Sequence, residues 1–263
     1  CSQNRAFEII RSPWSNKSGD HFRSPKIIID SFFMKNSIFD PSFEELPKTI
    51  PVFPLTGVLL LPAGKLPLNI FEPRYLAMVR DALSDRQRII GMLQPLTPDA
   101  DDNRGPTGSD RSEPQLYKTG CAGRITSFTE AEDGRYLLTL SGVCRFEIAE
   151  EIKSKDGYRR VLADFRKYNN DLGPETKLKI KRERLLIAVK QYFDVQDIKA
   201  NWEAIEEAPN DQLITSLAMT CPFGPNERQA ILEAENLSAQ AEIVMTLIEM
   251  AIRENGGSSV ISH

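Results

Sequence analysis

Between residues 51 and 79 the chain reads PVFPLTGVLLLPAGKLPLNIFEPRYLAMV, and no other stretch limits the possible folds as strongly. Pro47, Pro51 and Pro54 space its start. Proline disfavours the helical region in the residue before it, so this segment is extended. Residues 58–61 are an uninterrupted apolar run, which predicts a short buried strand. Gly64 supplies a turn. Leu66, Leu68 and Ile70 then alternate with Lys65, Pro67 and Asn69, the period of a second strand. Pro73 stands where helix N-termini accept proline, because the missing N–H has no intrahelical acceptor there. Leu76, Val79 and Leu83 mark one face of the helix that follows.

Downstream, residues 88–93 read as the next strand. Residues 96–115, LTPDADDNRGPTGSDRSEPQ, hold almost nothing apolar and are expected to form a long mobile loop. Asp133-Gly134 is a hairpin signal between two strands. On its far side Tyr136, Leu138 and Leu140 alternate with Leu137 and Thr139, as in a strand buried on both faces; Phe146 and Ile148 continue it. Residues 158–165 predict a further strand. At Pro174 the period becomes helical. Leu178, Leu185, Val189, Tyr192 and Phe193 predict a long helix, with Trp202 anchoring a short one after it. Helices over 211–220 and from Pro225 to about Ala234 follow. Ser238 is the expected N-cap of the last helix, whose inner face carries Gln240, Val244, Leu247, Ile248 and Ala251 and which Asn255-Gly256-Gly257 ends.

The expected fold class is therefore α+β. Residues 1–45 form a poorly structured extension in which Met34 is a natural start. Residues 46–170 form a β-rich half with one helix, 171–255 an all-helical half, and 256–263 a tail.

Function classes can be excluded residue by residue. The 263 residues carry a net charge of −4, without the overall basic excess that nucleic-acid-binding domains usually show, which leaves room only for a local patch. The only histidines are His21 and His263, so the organised region has no imidazole for a Ser-His-Asp or Cys-His site or a His-bound zinc. Cys1, Cys121, Cys144 and Cys221 form no CxxC pair and read as free thiols of a reducing, cytoplasmic compartment. Gly64-Lys65 is not a phosphate loop, because Leu59 and Leu66 occupy the required glycine and Ser/Thr positions. No charged-then-apolar leader and no membrane-length apolar run is visible. Asp101-Asp102, Glu130, Glu132 and Glu206-Glu207 read as solvated charge. Lys177, Lys179, Lys181, Arg182, Arg184 and Lys190 crowd one helix, a solvated face or a landing strip for an acidic partner or RNA.

The segment PVFPLTGVLLLPAGKLPLNIFEPRY resembles the opening signature of the Lon N-terminal domain family, the Lon substrate-binding domain. GCAGRI at 120–125, DGRYLLTLSGVCRFEI at 133–148 and WEAIEEAPNDQLITSLAMTCPFGPNERQAILEA at 202–234 agree with it in order, so the resemblance spans roughly residues 46–253. It implies a PUA-like β-barrel half and a helical half, and a role in recognising unfolded or damaged polypeptides. In full-length Lon proteases this domain precedes an ATPase module and a Ser–Lys peptidase module. Neither is present in these residues, so the expectation is a stand-alone bacterial Lon-domain protein without catalytic activity, cofactor or metal.

Recognition of unfolded chains needs apolar surface or a sheet edge. The candidate peptide-binding residues are Leu66, Leu68, Phe71, Glu72, Arg74 and Tyr75. For Leu68 and Phe71 core packing is the competing role, and for Glu72 and Arg74 an ion pair at the helix start. The loop 96–115 and the cleft between the halves are further candidates. Expected partners are unfolded polypeptides, with a protease or chaperone as a second class and oligomer formation left open; no membrane partner is expected. RNA or nucleotide binding through the barrel and a cryptic peptidase are the alternatives, the latter with no residue to nominate.

Overall fold

A single strand of twenty residues, β5 (Tyr136–Lys155), organises the first half of the molecule. The computed structural model describes residues 39–96, 114–173, 178 and 180–257, with side chains to residue 254. Its described residues fall into two compact units, one ending near residue 173 and one following it.

In the first unit β1 (Thr49–Pro54), β2 (Lys65–Ile70), β3 (Ile89–Leu93), β4 (Thr119–Glu130), β5 and β6 (Tyr158–Asp164) form one sheet in the order β2-β5-β4-β3-β1-β6. β6 also pairs with β5, so five strands close on themselves and β2 lies along the first part of β5. Only β1 and β3 run parallel. Closure leaves few open edges, the usual route by which small β units avoid sheet-to-sheet association. Ile50, Val52, Ile89, Ala122, Phe146 and Val161 fill the interior. α1 (Pro73–Ser84) packs on β6, β1 and β3.

Glycines allow the close approaches. A Cβ on Gly142 would stand 2.0 Å from the Leu61 carbonyl oxygen, and one on Gly120 2.6 Å from that of Met92. The hairpin turn runs as expected, with Gly134 at φ +82°. Its N–H donates to the Ala131 carbonyl, 2.9 Å.

Several expectations need correction. Residues 58–61 are buried but form no strand. Their chain crosses β5 instead of joining its ladder: Ala63 N–H donates to Gly142 O and Gly64 N–H to Leu61 O. An apolar run reports burial, and burial alone does not require a ladder. The inner face of α1 is Tyr75, Met78, Val79 and Ala82, rotated by about one residue from the expected one, with Leu76 and Leu83 half-buried.

The segment after β6 is a 3₁₀ turn, Arg166–Leu172, whose signal is not periodic. It is held by Arg145, whose guanidinium meets the Asp171 carboxylate at 2.7 and 2.9 Å. The expected N-terminal extension is described only at residues 39–45, where Phe43–Glu45 form a 3₁₀ turn. Met34, residues 97–113 of the expected loop and 258–263 of the tail lie outside the described residues.

The second unit holds α2 (Arg182–Val195), α3 (Trp202–Glu207), α4 (Asn210–Thr220), α5 (Pro225–Glu233) and α6 (Leu237–Gly257). α2 starts at Arg182, later than the switch at Pro174 predicts. It turns Leu185, Ala188, Val189, Tyr192 and Phe193 inward, and Phe193 meets Trp202 with ring centroids 5.7 Å apart. The last helix is capped by Asn236, not Ser238: the Asn236 Oδ1 accepts from Ala239 N–H at 3.0 Å.

Two arginines tie off the short helices. Arg182 donates to the carbonyls of Ile205 and Glu206 at the end of α3, at 3.1 and 2.6 Å. Arg228, itself buried, donates to the Met219 carbonyl in the last turn of α4 and to the Cys221 and Phe223 carbonyls beyond it, at 3.1, 2.7 and 2.9 Å. A guanidinium fits a helix C-terminus because its donors fan out and its charge complements the negative pole. The neighbouring Glu227 accepts from Gly224 N–H at 2.6 Å, opening α5.

Candidate functional site

Six residues from the end of β2 and the start of α1 carry the sequence-based expectation, and they divide by exposure. Leu66 and Leu68 are 5 % and 3 % exposed, Tyr75 6 %. The first two lie on the inward side of the β2 alternation. Tyr75 packs against Phe53, ring centroids 4.3 Å apart, beneath the Arg74 guanidinium at 4.4 Å. A polypeptide cannot reach these three side chains without opening the unit.

Phe71 is different. It belongs to the two-residue link between β2 and α1, and 37 % of it is exposed. Beside it Glu72 and Arg74 form a partly exposed ion pair, Oε2 to Nη2 2.9 Å and to Nε 3.0 Å. The stretch thus presents one open ring and a locally neutralised pair.

The outer edge of β2 offers little to an added strand. Gly142 N–H donates to Gly64 O, a register that directs the backbone groups of Leu66, Leu68 and Ile70 towards β5 and those of Lys65 and Pro67 to the outer edge. Pro67 has no N–H, so that edge is short and interrupted.

Two rings that sequence reasoning did not single out as a surface meet nearby. Phe128 on β4 and Tyr136 on β5 are both half-buried, their centroids 5.0 Å apart with planes at 69°. They lie two rungs apart on one face of the ladder, Phe128 opposite Leu138 and Tyr136 opposite Glu130. Only the register reveals this diagonal, and it was not available to a reading of either strand alone. A separate groove of about 530 Å³ lies between residues 40–45 and Asn169, Leu172 and Gly173. Two of its three acids, Asp40 and Glu45, are engaged by Arg124 and Arg86.

Other groups have structural partners. Arg182 is held by α3 and by Asn210, 2.6 Å away, and Arg184 by Glu249, also at 2.6 Å. Lys177 and Lys179 lie outside the described residues. Cys121, Cys144 and Cys221 are buried free thiols. Burial pushes the Cys221 thiol up to about 12 and raises the other two as well, so none is poised as a nucleophile. Among the described residues no group of three or more His, Cys, Asp or Glu could hold a metal ion. No helix among them is long and apolar enough to cross a membrane.

With barrel, helical unit and surface in place, the decisive comparison is with protein families. The family model described as the ATP-dependent protease La (LON) substrate-binding domain matches residues 49–250. The chain belongs to the LON substrate-binding domain family. Lon protease 2 of Myxococcus xanthus is 26 % identical over 207 residues, which cover 78 % of this chain and 24 % of that protein. The chain thus spans about a quarter of the length of the curated relatives it matches.

Among solved structures, the N-terminal domain of the Mycobacterium avium complex Lon protease shares the fold: TM-score 0.50, 13 % identity, 77 % of this chain and 98 % of that one. The Lon N-terminal domain protein from Xanthomonas campestris is 22 % identical, TM-score 0.49, over 76 % of this chain and 98 % of that one. For the LON domain described here, the CPFGPNERQ segment is the sequence of the Arg228 clamp and the Glu227 cap.

Proposed function

We propose that this LON domain binds unfolded or damaged polypeptide segments, acting as an adaptor or quality-control factor rather than as a catalyst. The observation that carries the reading is the match of residues 49–250 to a substrate-binding family. The surface supports it: Phe71 is a partly exposed ring on the short link from β2 to α1, beside the Glu72–Arg74 ion pair and the buried Leu66, Leu68 and Tyr75. Open aromatic area on a fixed scaffold takes an extended chain at low ordering cost. Three buried free thiols favour a reducing, cytoplasmic setting. The engagement of Arg182 and Arg184 within the helical unit leaves the RNA alternative without added support.

The test is fluorescence anisotropy of a labelled, permanently unfolded client against the same client folded. Tighter binding of the unfolded form is expected. Equal binding, or none, overturns the reading.

A further inference from the structure

The far end of the β4–β5 hairpin joins an apolar surface to an excess of negative charge. Phe128 and Tyr136 are half-buried there, while Leu68, Ile70 and Leu138 on the same two rungs are buried. The pair therefore keeps apolar area in water at the edge of a packed face. The turn above it is pinned. Ala131 N–H donates to Arg135 O at 2.8 Å, and Arg135 pairs with Asp133 at 2.6 Å. A partner docking here would not have to order the hairpin first.

The surrounding charges do not balance. Asp133 is neutralised by Arg135 and Glu72 by Arg74. Glu130 and Glu132 flank the turn, are exposed, and form no ion pair among the described residues.

We propose that this hairpin end, made of Phe128, Tyr136, Glu130 and Glu132, is a docking surface for extended polypeptide segments in which an apolar or aromatic residue stands next to lysine or arginine. The proposal rests on the polypeptide-binding reading and adds a place and a client chemistry to it. Charge complementarity selects the occupant. A lysine or arginine can pair with the two carboxylates and lie over the aromatic faces, while its apolar neighbour covers the exposed ring area. Acidic segments meet like charge here, and so does a phosphate backbone.

Two short unstructured peptides with the same apolar residues, carrying either lysine or glutamate at the charged positions, test this on the full chain by anisotropy. At low salt the lysine peptide is expected to bind about fivefold or more tightly than the glutamate peptide, with the gap closing as salt rises. The double substitution Glu130→Gln, Glu132→Gln should remove most of that preference without moving the melting temperature. Phe128→Ala should weaken both peptides. Equal binding of the two peptides, a preference that survives the double substitution, or direct binding of a labelled RNA oligonucleotide that Phe128→Ala abolishes would each overturn the proposal. If the peptides show no preference but an unfolded client still binds, polypeptide recognition stands and only this surface falls. If neither the peptides nor the client bind, the reading beneath it falls as well.

Discussion

Arg145 of β5 and Asp171 of the 3₁₀ turn form a buried ion pair, their side chains 4 % and 9 % exposed. Arg145 also donates its backbone N–H to the same carboxylate, at 3.0 Å, and its guanidinium covers the Tyr168 ring at 4.3 Å. Removing one partner strands the other. Asp171→Ala should lower stability by about 3–5 kcal/mol in urea unfolding. Replacing both by apolar residues of similar volume should cost far less than the single change. If the single substitution were as mild as the double one, the pair would not be the clamp of the 3₁₀ turn.

Arg228 makes the corresponding prediction for the helical unit. Its loss leaves the buried Cys221 and Phe223 carbonyls and the half-buried Met219 carbonyl to find other donors, at about 1–3 kcal/mol for each buried one that fails. Arg228→Met should destabilise α4 and α5. Arg228→Lys should rescue only in part, because one ammonium cannot reproduce the planar fork. Thermal melts by circular dichroism, with hydrogen exchange over residues 210–233, read both.

Asp81 on α1 links that helix to the β5–β6 turn through Lys155, at 2.7 Å, and the Tyr158 hydroxyl, at 2.5 Å. The Lys155 ammonium first, and then Tyr158, hold its carboxyl below the usual aspartate range. A depressed folded value means that the contribution is complete above the unfolded value and is lost as pH falls through the folded one. The stability gap between the native chain and Asp81→Asn should therefore be widest near neutrality and close below about pH 4. Paired urea titrations at pH 7 and pH 3 measure it, and a gap that widens in acid would contradict the assignment.

Gly142→Ala tests the crossing of residues 58–61 over β5. The obstructing atoms belong to the Leu61 and Pro62 backbone, which cannot swing aside as a side chain can. A loss of about 1–3 kcal/mol or more is expected. Ala at Gly134, with nothing within 4 Å, should cost only its left-handed backbone conformation, about 1 kcal/mol.

Phe71→Ala and Leu68→Ala separate surface from support. Leu68→Ala should cost about 2–5 kcal/mol and impair binding only as the unit unfolds. Phe71→Ala should cost less, about 1–2 kcal/mol for its buried part, and weaken the unfolded client beyond what that loss explains. A Phe71→Ala variant with full affinity would remove that ring from the proposed contact.

The barrel was largely legible because Leu66, Leu68 and Ile70, and then the Asp133-Gly134 turn, state their period and direction locally. The same alternation explains the uneven site expectation: it marks Leu66 and Leu68 as inward residues, and inward residues make poor contacts for a client. What escaped is non-local. The Phe128–Tyr136 contact depends on register, and the carbonyl partners of Arg182 and Arg228 depend on where helices end in space. In sequence these arginines are indistinguishable from solvated charge, and residues 58–61 from a strand.

The closing pairing of the barrel also orders its assembly in time. Among the described strands β1 leaves the ribosome first, yet its Thr49 and Val52 pair with Leu162 and Arg159 of β6, the last of them. Until β6 emerges, one edge of β1 carries unsatisfied backbone groups, and β5 waits with them, since its second half has β6 as a neighbour. A nascent LON domain therefore holds an open sheet edge from the emergence of β1 until that of β6. During that interval a module read here as a binder of unfolded chains is itself a candidate client.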